Sequence, residues 1–153
     1  MHLNTVPFLL AATLLSGAMA GSPAAGAPVA VNATVTDACE ITAADQILFN
    51  YQAATSTAAT GSGKVSVRCN LDSSPFLGYW DDTQWNADGS IDLMNGTNKL
   101  NVVLTTDIDP TLVPSNPADG SRYTYGLTAT AAAQQWTTPN GSYSAVVDYY
   151  IGW

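Results

Sequence analysis

Lys64-Val65-Ser66-Val67-Arg68-Cys69 alternates apolar and polar residues without a break. Successive side chains of an extended chain point to opposite faces, so Val65, Val67 and Cys69 share one face and Lys64, Ser66 and Arg68 the other. That is the pattern of a half-buried strand. The same two-residue period recurs on both sides of it. Val29, Val31, Ala33 and Val35 alternate with Ala30, Asn32 and Thr34, and Ile47, Phe49 and Tyr51 repeat the rhythm before a Thr/Ala/Ser/Gly loop over residues 52–63. Phe76 to Trp80 is a short apolar run ended by Asp81-Asp82. Ile91 to Met94 and Leu100 to Leu104 flank Asn95-Gly96, a dipeptide favoured in two-residue hairpin turns, although Thr97 and Asn98 are weak strand formers beside it. Residues 107–120 hold three prolines and read as a loop. Tyr123, Tyr125, Leu127 and Ala129 alternate, Pro139-Asn140-Gly141 turns the chain, and Tyr143 to Trp153 supplies a last strand. No segment carries a capped helical stripe; Ala129 to Gln135 comes nearest, between threonines and without a second apolar turn. Short strands separated by turn signals predict an all-β sandwich.

The two ends add to this reading. Residues 21–28 contain only Gly, Ser, Ala and Pro and form a flexible leader that runs into the alternating segment. The final strand runs to Trp153, so the sandwich is expected to keep an unpaired edge or an open groove, which a free N-terminal strand of another molecule would close.

Composition excludes several classes. The chain has 153 residues, a length that suits one domain, and 46% hydrophobic residues, enough for a core. Only 10% of residues are charged, and the formal net charge is −8. Lys64, Arg68, Lys99 and Arg122 are scattered and make no basic patch for phosphates, so nucleic acid and anionic lipid are disfavoured as partners. Val6 to Leu15 is an apolar run of about ten residues, too short to span a bilayer. Ala18-Met19-Ala20 follows it with small residues at a cleavage spacing. Residues 1–20 therefore read as a secretory signal peptide, although the segment before the run has no Lys or Arg. Removing it takes away His2, the only histidine, and with it Ser-His-Asp and Cys-His catalysis and zinc sites that need imidazole. Cys39 and Cys69 in an oxidising compartment are expected to form one disulfide, worth roughly 3.5 kcal/mol by loop closure.

Candidate chemistry is sparse. Asp81-Asp82 with Asp88 and Asp92 has Tyr79, Trp80 and Trp85 close by, and Trp80 and Trp85 are the candidate ligand-facing aromatics for a sugar. Neighbouring carboxylates on a strand end point to opposite sides, so the hydrolase arrangement is absent and a solvated turn is the better account. Residues 86–92 resemble the middle of an EF-hand loop, but Gln84 and Asn95 stand at its first and last ligand positions. No catalytic residue, metal site or cofactor is expected. The sequons at Asn32, Asn95 and Asn140 fall in segments of small polar residues, where such tripeptides arise freely. The alternating tyrosines are assigned to the core.

Taken together, the segments resemble the spore coat protein U family, which includes pilins of archaic chaperone–usher pili. The resemblance covers roughly residues 31–153. It rests on Cys39 after an alternating segment, Phe49-Asn50-Tyr51, Val65-Ser66-Val67-Arg68-Cys69, Met94 and Gly96 followed by Leu100-Asn101, Tyr123-Thr124-Tyr125-Gly126, and Pro139-Asn140-Gly141-Ser142-Tyr143-Ser144 before an aromatic-ended strand. Asn50 stands where the family usually has glycine, Leu127 follows Gly126 where a basic residue is common, and the Trp-Gly of the long loop is missing. The resemblance implies an incomplete immunoglobulin-like β-sandwich with one disulfide, completed by donor-strand exchange. It implies a non-enzymatic pilus subunit that passes through the periplasm to the cell surface. A periplasmic chaperone, an outer-membrane usher and neighbouring pilin subunits would be its partners. On this reading residues 1–20 are the signal peptide, 21–31 the leader and donor segment, and 32–153 the pilin domain. Val29 and Val31 insert into the next subunit, residues 24–27 add small side chains, and Val35 stays in the subunit's own first strand. The rival reading is a secreted monomeric carbohydrate-binding module that uses Trp80 and Trp85.

Overall fold

A computed structural model describes residues 30–153. Residues 35–153 form one compact unit of antiparallel strands. In chain order these are β1 (Cys39–Ala44), β2 (Ala59–Cys69), β3 (Leu77–Trp80), β4 (Ile91–Asn95), β5 (Asn98–Thr106), β6 (Thr111–Val113), β7 (Ser121–Ala131) and β8 (Tyr149–Gly152). The main sheet runs β1-β2-β7-β5-β4, with β6 also paired to β7, and β3 and β8 make a second sheet. Apart from a three-residue 3-10 turn at Pro117–Asp119, the described residues contain no helix. The architecture is an immunoglobulin-like β-sandwich.

The stretch that sets the fold lies at the centre of the main sheet. Val65, Val67 and Cys69 of β2 are buried with Tyr125 and Leu127 of the neighbouring β7. A second cluster joins Ile91, Leu100, Val102, Leu104, Ala129 and Ala131, and Ile47 and Trp80 pack against both. Cys39 pairs directly with Cys69 across the β1–β2 ladder, and the two form the disulfide, with Cα atoms 4.1 Å apart. The loop-closing bond thus also fixes the sheet's edge strand.

Strand β2 begins at Ala59, so residues 59–63 are strand where a loop is expected from composition. The reason is the segment above them. After the Asp45 N–H donates to the Lys64 carbonyl at 2.9 Å, the chain leaves β1 and crosses the inner face of β2. A Cβ on Gly61 would stand 2.9 Å from Ile47 Cγ2, from the Leu48 carbonyl oxygen and from Phe49 Cδ1. Glycines are needed here for close approach, not for turning. Ile47, Phe49 and Tyr51 do pack inward as their alternation predicts, but they ride over a strand rather than belonging to one.

The alternating segment before Cys39 also departs from expectation. Residues 30–38 have no regular secondary structure, and Val31 and Val35 are 89% and 83% exposed. Val35 therefore does not sit in the subunit's own first strand. Period-two alternation makes a segment able to pair, but pairing also requires a free ladder edge. The signal peptide at 1–20, the leader over 21–28 and Val29 lie outside the described residues.

The hairpin turns on Gly96 and Thr97, with Gly96 at φ 59° and Asn95 paired to Asn98, so the ladder reaches the turn itself. Strand β6 forms inside the proline-containing loop because Thr111 to Val113 find an open edge on β7. The long last strand is confined to Tyr149–Gly152. Before it, Ser144 makes a single bridge to Met94, and Ala145 to Asp148 are extended without a continuous ladder.

Candidate functional site: an open groove between two rims

Two largely irregular stretches, 44–49 from the end of β1 and 143–149 up to the start of β8, border one groove of about 610 Å³. Its floor is apolar, with Val65, Ile91, Leu104, Leu127 and Ala129 from the main sheet and Trp80 at the side. One rim exists because Gly61 and Gly63 let the chain cross β2. The other is pinned along its outer side. Ser144 exchanges two hydrogen bonds with Met94 (2.9 and 3.1 Å), Gln84 Nε2 donates to the Val146 carbonyl at 3.0 Å, and the Asp148 carbonyl accepts from Asp81 N–H at 2.8 Å.

Backbone groups of an extended segment alternate in direction, so residues 144, 146 and 148 use one side and 145 and 147 the other. The main-chain groups of Ala145 and Val147, like those of residues 46–49 on the opposite rim, have no backbone partner among the described residues. Unpaired amide and carbonyl groups beside buried surface are costly, and an added strand satisfies both rows. Leu48 and Val146 are largely exposed on the rims, with Ile41 partly so. The arrangement can accept an extended peptide.

Other sequence-predicted residues are placed as follows. Cys39 and Cys69 are bonded. Trp80 and Trp85 pack against the core, and the Nε1 of each is buried without a hydrogen-bond partner. Val31 is exposed, and Val29 is outside the described residues. The aspartates of the 81–92 segment shape turns and pair strands. Asp81 accepts from Thr83 N–H and Oγ1 at 3.1 and 2.9 Å, Asp88 accepts from Ser90 N–H at 3.1 Å, and Asp92 accepts from Lys99 Nζ at 2.7 Å. The Ser90 hydroxyl beside Asp88, and the Lys99 ammonium beside Asp92, hold both carboxyls below the ordinary value of 3.8. No group of three or more His, Cys, Asp or Glu side chains among the described residues could hold a metal ion. No described helix is long and apolar enough to cross a membrane.

Side-chain alternation alone does not single out the two rims. Their signals are present: Gly61 and Gly63 on the inward face of an otherwise Val-lined strand, and Ser142, Ser144 and Ala145 diluting the last apolar alternation.

The fold and groove define a class: a disulfide-tied immunoglobulin-like sandwich with an open apolar groove. The family model for the Spore Coat Protein U domain matches residues 25–149. The chain therefore belongs to the Spore Coat Protein U domain family, a structural, pilin-type family of fimbrial and pilus-like subunits. Comparison with curated proteins and with solved structures gives no match.

Proposed function

We propose that this chain is a structural subunit of a bacterial cell-surface pilus that polymerises by donor-strand complementation in a chaperone–usher pathway. The observation that carries the reading is the groove, whose two rims hold unpaired main-chain groups over an apolar floor. A strand laid between them would pair on both sides and bury alternate side chains on Val65, Leu104 and Leu127. Each aliphatic side chain fully buried there contributes roughly 1.5–3 kcal/mol, in addition to the ladder hydrogen bonds.

The occupant is the N-terminal segment of the next subunit, with Val29 and Val31 facing the floor and the small residues 24–27 continuing along it. The exposure of Val31 and its lack of regular secondary structure support this assignment. Residues 1–20 act as the signal peptide that sends the chain to the periplasm. There a chaperone covers the groove, and an outer-membrane usher exchanges it for the neighbouring subunit. The protein acts by assembly, without catalysis.

The test replaces Val29 and Val31 by Asp, or deletes residues 21–31. Both variants are expected to bind the chaperone through an intact groove but to stop donating to the next subunit. Fibres formed by the deletion variant overturn the reading, as does an intact chain that stays a stable monomer without a chaperone.

A further inference from the structure

Two like-charged pairs stand on opposite outer faces of the sandwich. On the main sheet, the register places Arg68 of β2 directly across from Arg122 of β7. Val67 and Tyr125 face the core, so the alternation turns both guanidinium groups outward. Arg68 pairs with Glu40 of β1. Arg122 and Lys64 are exposed on the same face and make no ion pair among the described residues. Asp107 also lies on this face, where its Oδ2 accepts from the Gly126 N–H at 2.9 Å.

The second sheet is its chemical opposite. Gly78 is buried and Trp80, Tyr149 and Ile151 pack inward, which leaves Leu77, Tyr79 and Tyr150 outside. Tyr79 and Tyr150 are cross-strand partners, each 46% exposed, with ring centroids 5.6 Å apart. The Asp81 N–H to Asp148 carbonyl bond continues this register beyond Trp80 and Tyr149, so two aspartates stand opposite each other on the tyrosine face. Asp81 is held by Thr83, while the Asp148 carboxylate has no partner among the described residues.

Like charges directly across a ladder destabilise it, and a solvent-facing ribbon is normally polar rather than aromatic. Both faults vanish if the faces meet. We infer that a second copy of the chain docks its Arg68–Arg122 face on the Tyr79–Tyr150–Asp81–Asp148 face. Both charged pairs are cross-strand neighbours, with Cα atoms about 4.5–5.5 Å apart, so two arginines can meet two aspartates in step. Guanidinium groups bind carboxylates through paired hydrogen bonds and stack on aromatic rings, and this face offers both partners side by side. The two patches differ, so the contact is head-to-tail and each docked copy leaves a free face for another. Asp148 borders the groove, but Arg68, Arg122, Tyr79 and Tyr150 do not line it, so the contact goes beyond strand insertion and adds side-by-side association.

Salt separates the two modes, because the Debye length falls to about 3 Å at about 1 M while a buried inserted strand is barely screened. Self-association of the full chain, followed by sedimentation and light scattering, is expected to be strong at low salt. Its salt-reversible part should weaken by roughly tenfold or more in Asp148→Arg and in Arg122→Asp. An equimolar mixture of the two variants should recover it, since each then supplies the face the other lacks. Arg122 does not line the groove, so the loss in Arg122→Asp cannot come from a change there. Should Asp148→Arg fail to fold, Tyr79→Ser, an exposed change that alters no charge, is expected to weaken the same association. The inference is overturned if the single variants associate like the parent, or if the mixture stays dispersed. It is equally overturned if the parent shows no salt-reversible association, which would leave the aromatic face to another occupant such as a soluble glycan.

Discussion

Tyr125 is the most enclosed large side chain of the described residues, and its hydroxyl is buried without a hydrogen-bond partner. Its ring lies 5.9 Å from that of Tyr149, whose hydroxyl bonds Thr106 Oγ1 at 2.8 Å. Gly78 makes this packing possible, because a Cβ there would run into the Tyr149 hydroxyl and the Tyr125 ring. Burial pushes both phenols above the ordinary tyrosine value of 10.0. A proton held more tightly by the folded chain than by the unfolded one stabilises the fold at every pH below the unfolded value. That stabilisation is lost as pH rises through the folded value. Urea unfolding midpoints are therefore expected to hold steady up to about pH 10 and fall above it, with phenolate absorbance rising as the chain unfolds. Tyr125→Phe removes one of the two groups, along with an unsatisfied hydroxyl, and should shrink the alkaline loss without lowering neutral stability.

At the scale of elements, the groove depends on a crossing rather than on a strand. Gly61 and Gly63 leave β2 bare on its inward side, and residues 45–49 lie in the space. Gly61→Val would force that rim away, since the backbone of Leu48 cannot yield as a flexible side-chain tip would. Such overpacking costs about 1–3 kcal/mol, and urea unfolding should show it. The same variant should lose acceptance of a neighbour's strand while keeping the Cys39–Cys69 bond, which mass spectrometry can check. Here the sequence was legible only in part. The inward period of Ile47, Phe49 and Tyr51 was readable because burial sets it. Their lack of ladder partners was not, because a strand and a strand-like crossing share the same alternation. The run from Tyr143 to Trp153 shows the same ambiguity: one period covers a bridge at Ser144, a free rim and the short β8.

For the whole molecule, the sandwich spends its apolar residues on a core that is open along one line. A peptide of residues 21–38, added in trans to the variant lacking residues 21–31, is expected to raise the melting temperature with its concentration. Mass action predicts about 2.7 kcal/mol of stabilisation at roughly 100 times the dissociation constant. A scrambled peptide of equal composition should give none, and thermal melts across a peptide titration decide it. Saturation at one peptide per chain would match the groove bordered by 44–49 and 143–149.

The sequence by itself determined the all-β class, the central strand at Lys64–Cys69, the Cys39–Cys69 pair and a hairpin turn at Gly96, though the turning pair is Gly96-Thr97 and Asn95 stays in the ladder. These follow from local rules: side-chain period, turn chemistry and the number of available thiols. Only the tertiary structure decided that residues 30–38 take no regular secondary structure, that two glycines carry a crossing segment, and that Trp80 and Trp85 pack on the core. It alone set Arg68 against Arg122 and Asp81 against Asp148. Register and edges are properties of pairs of strands, and a single chain read in order contains the period of each strand but not the neighbour that completes it.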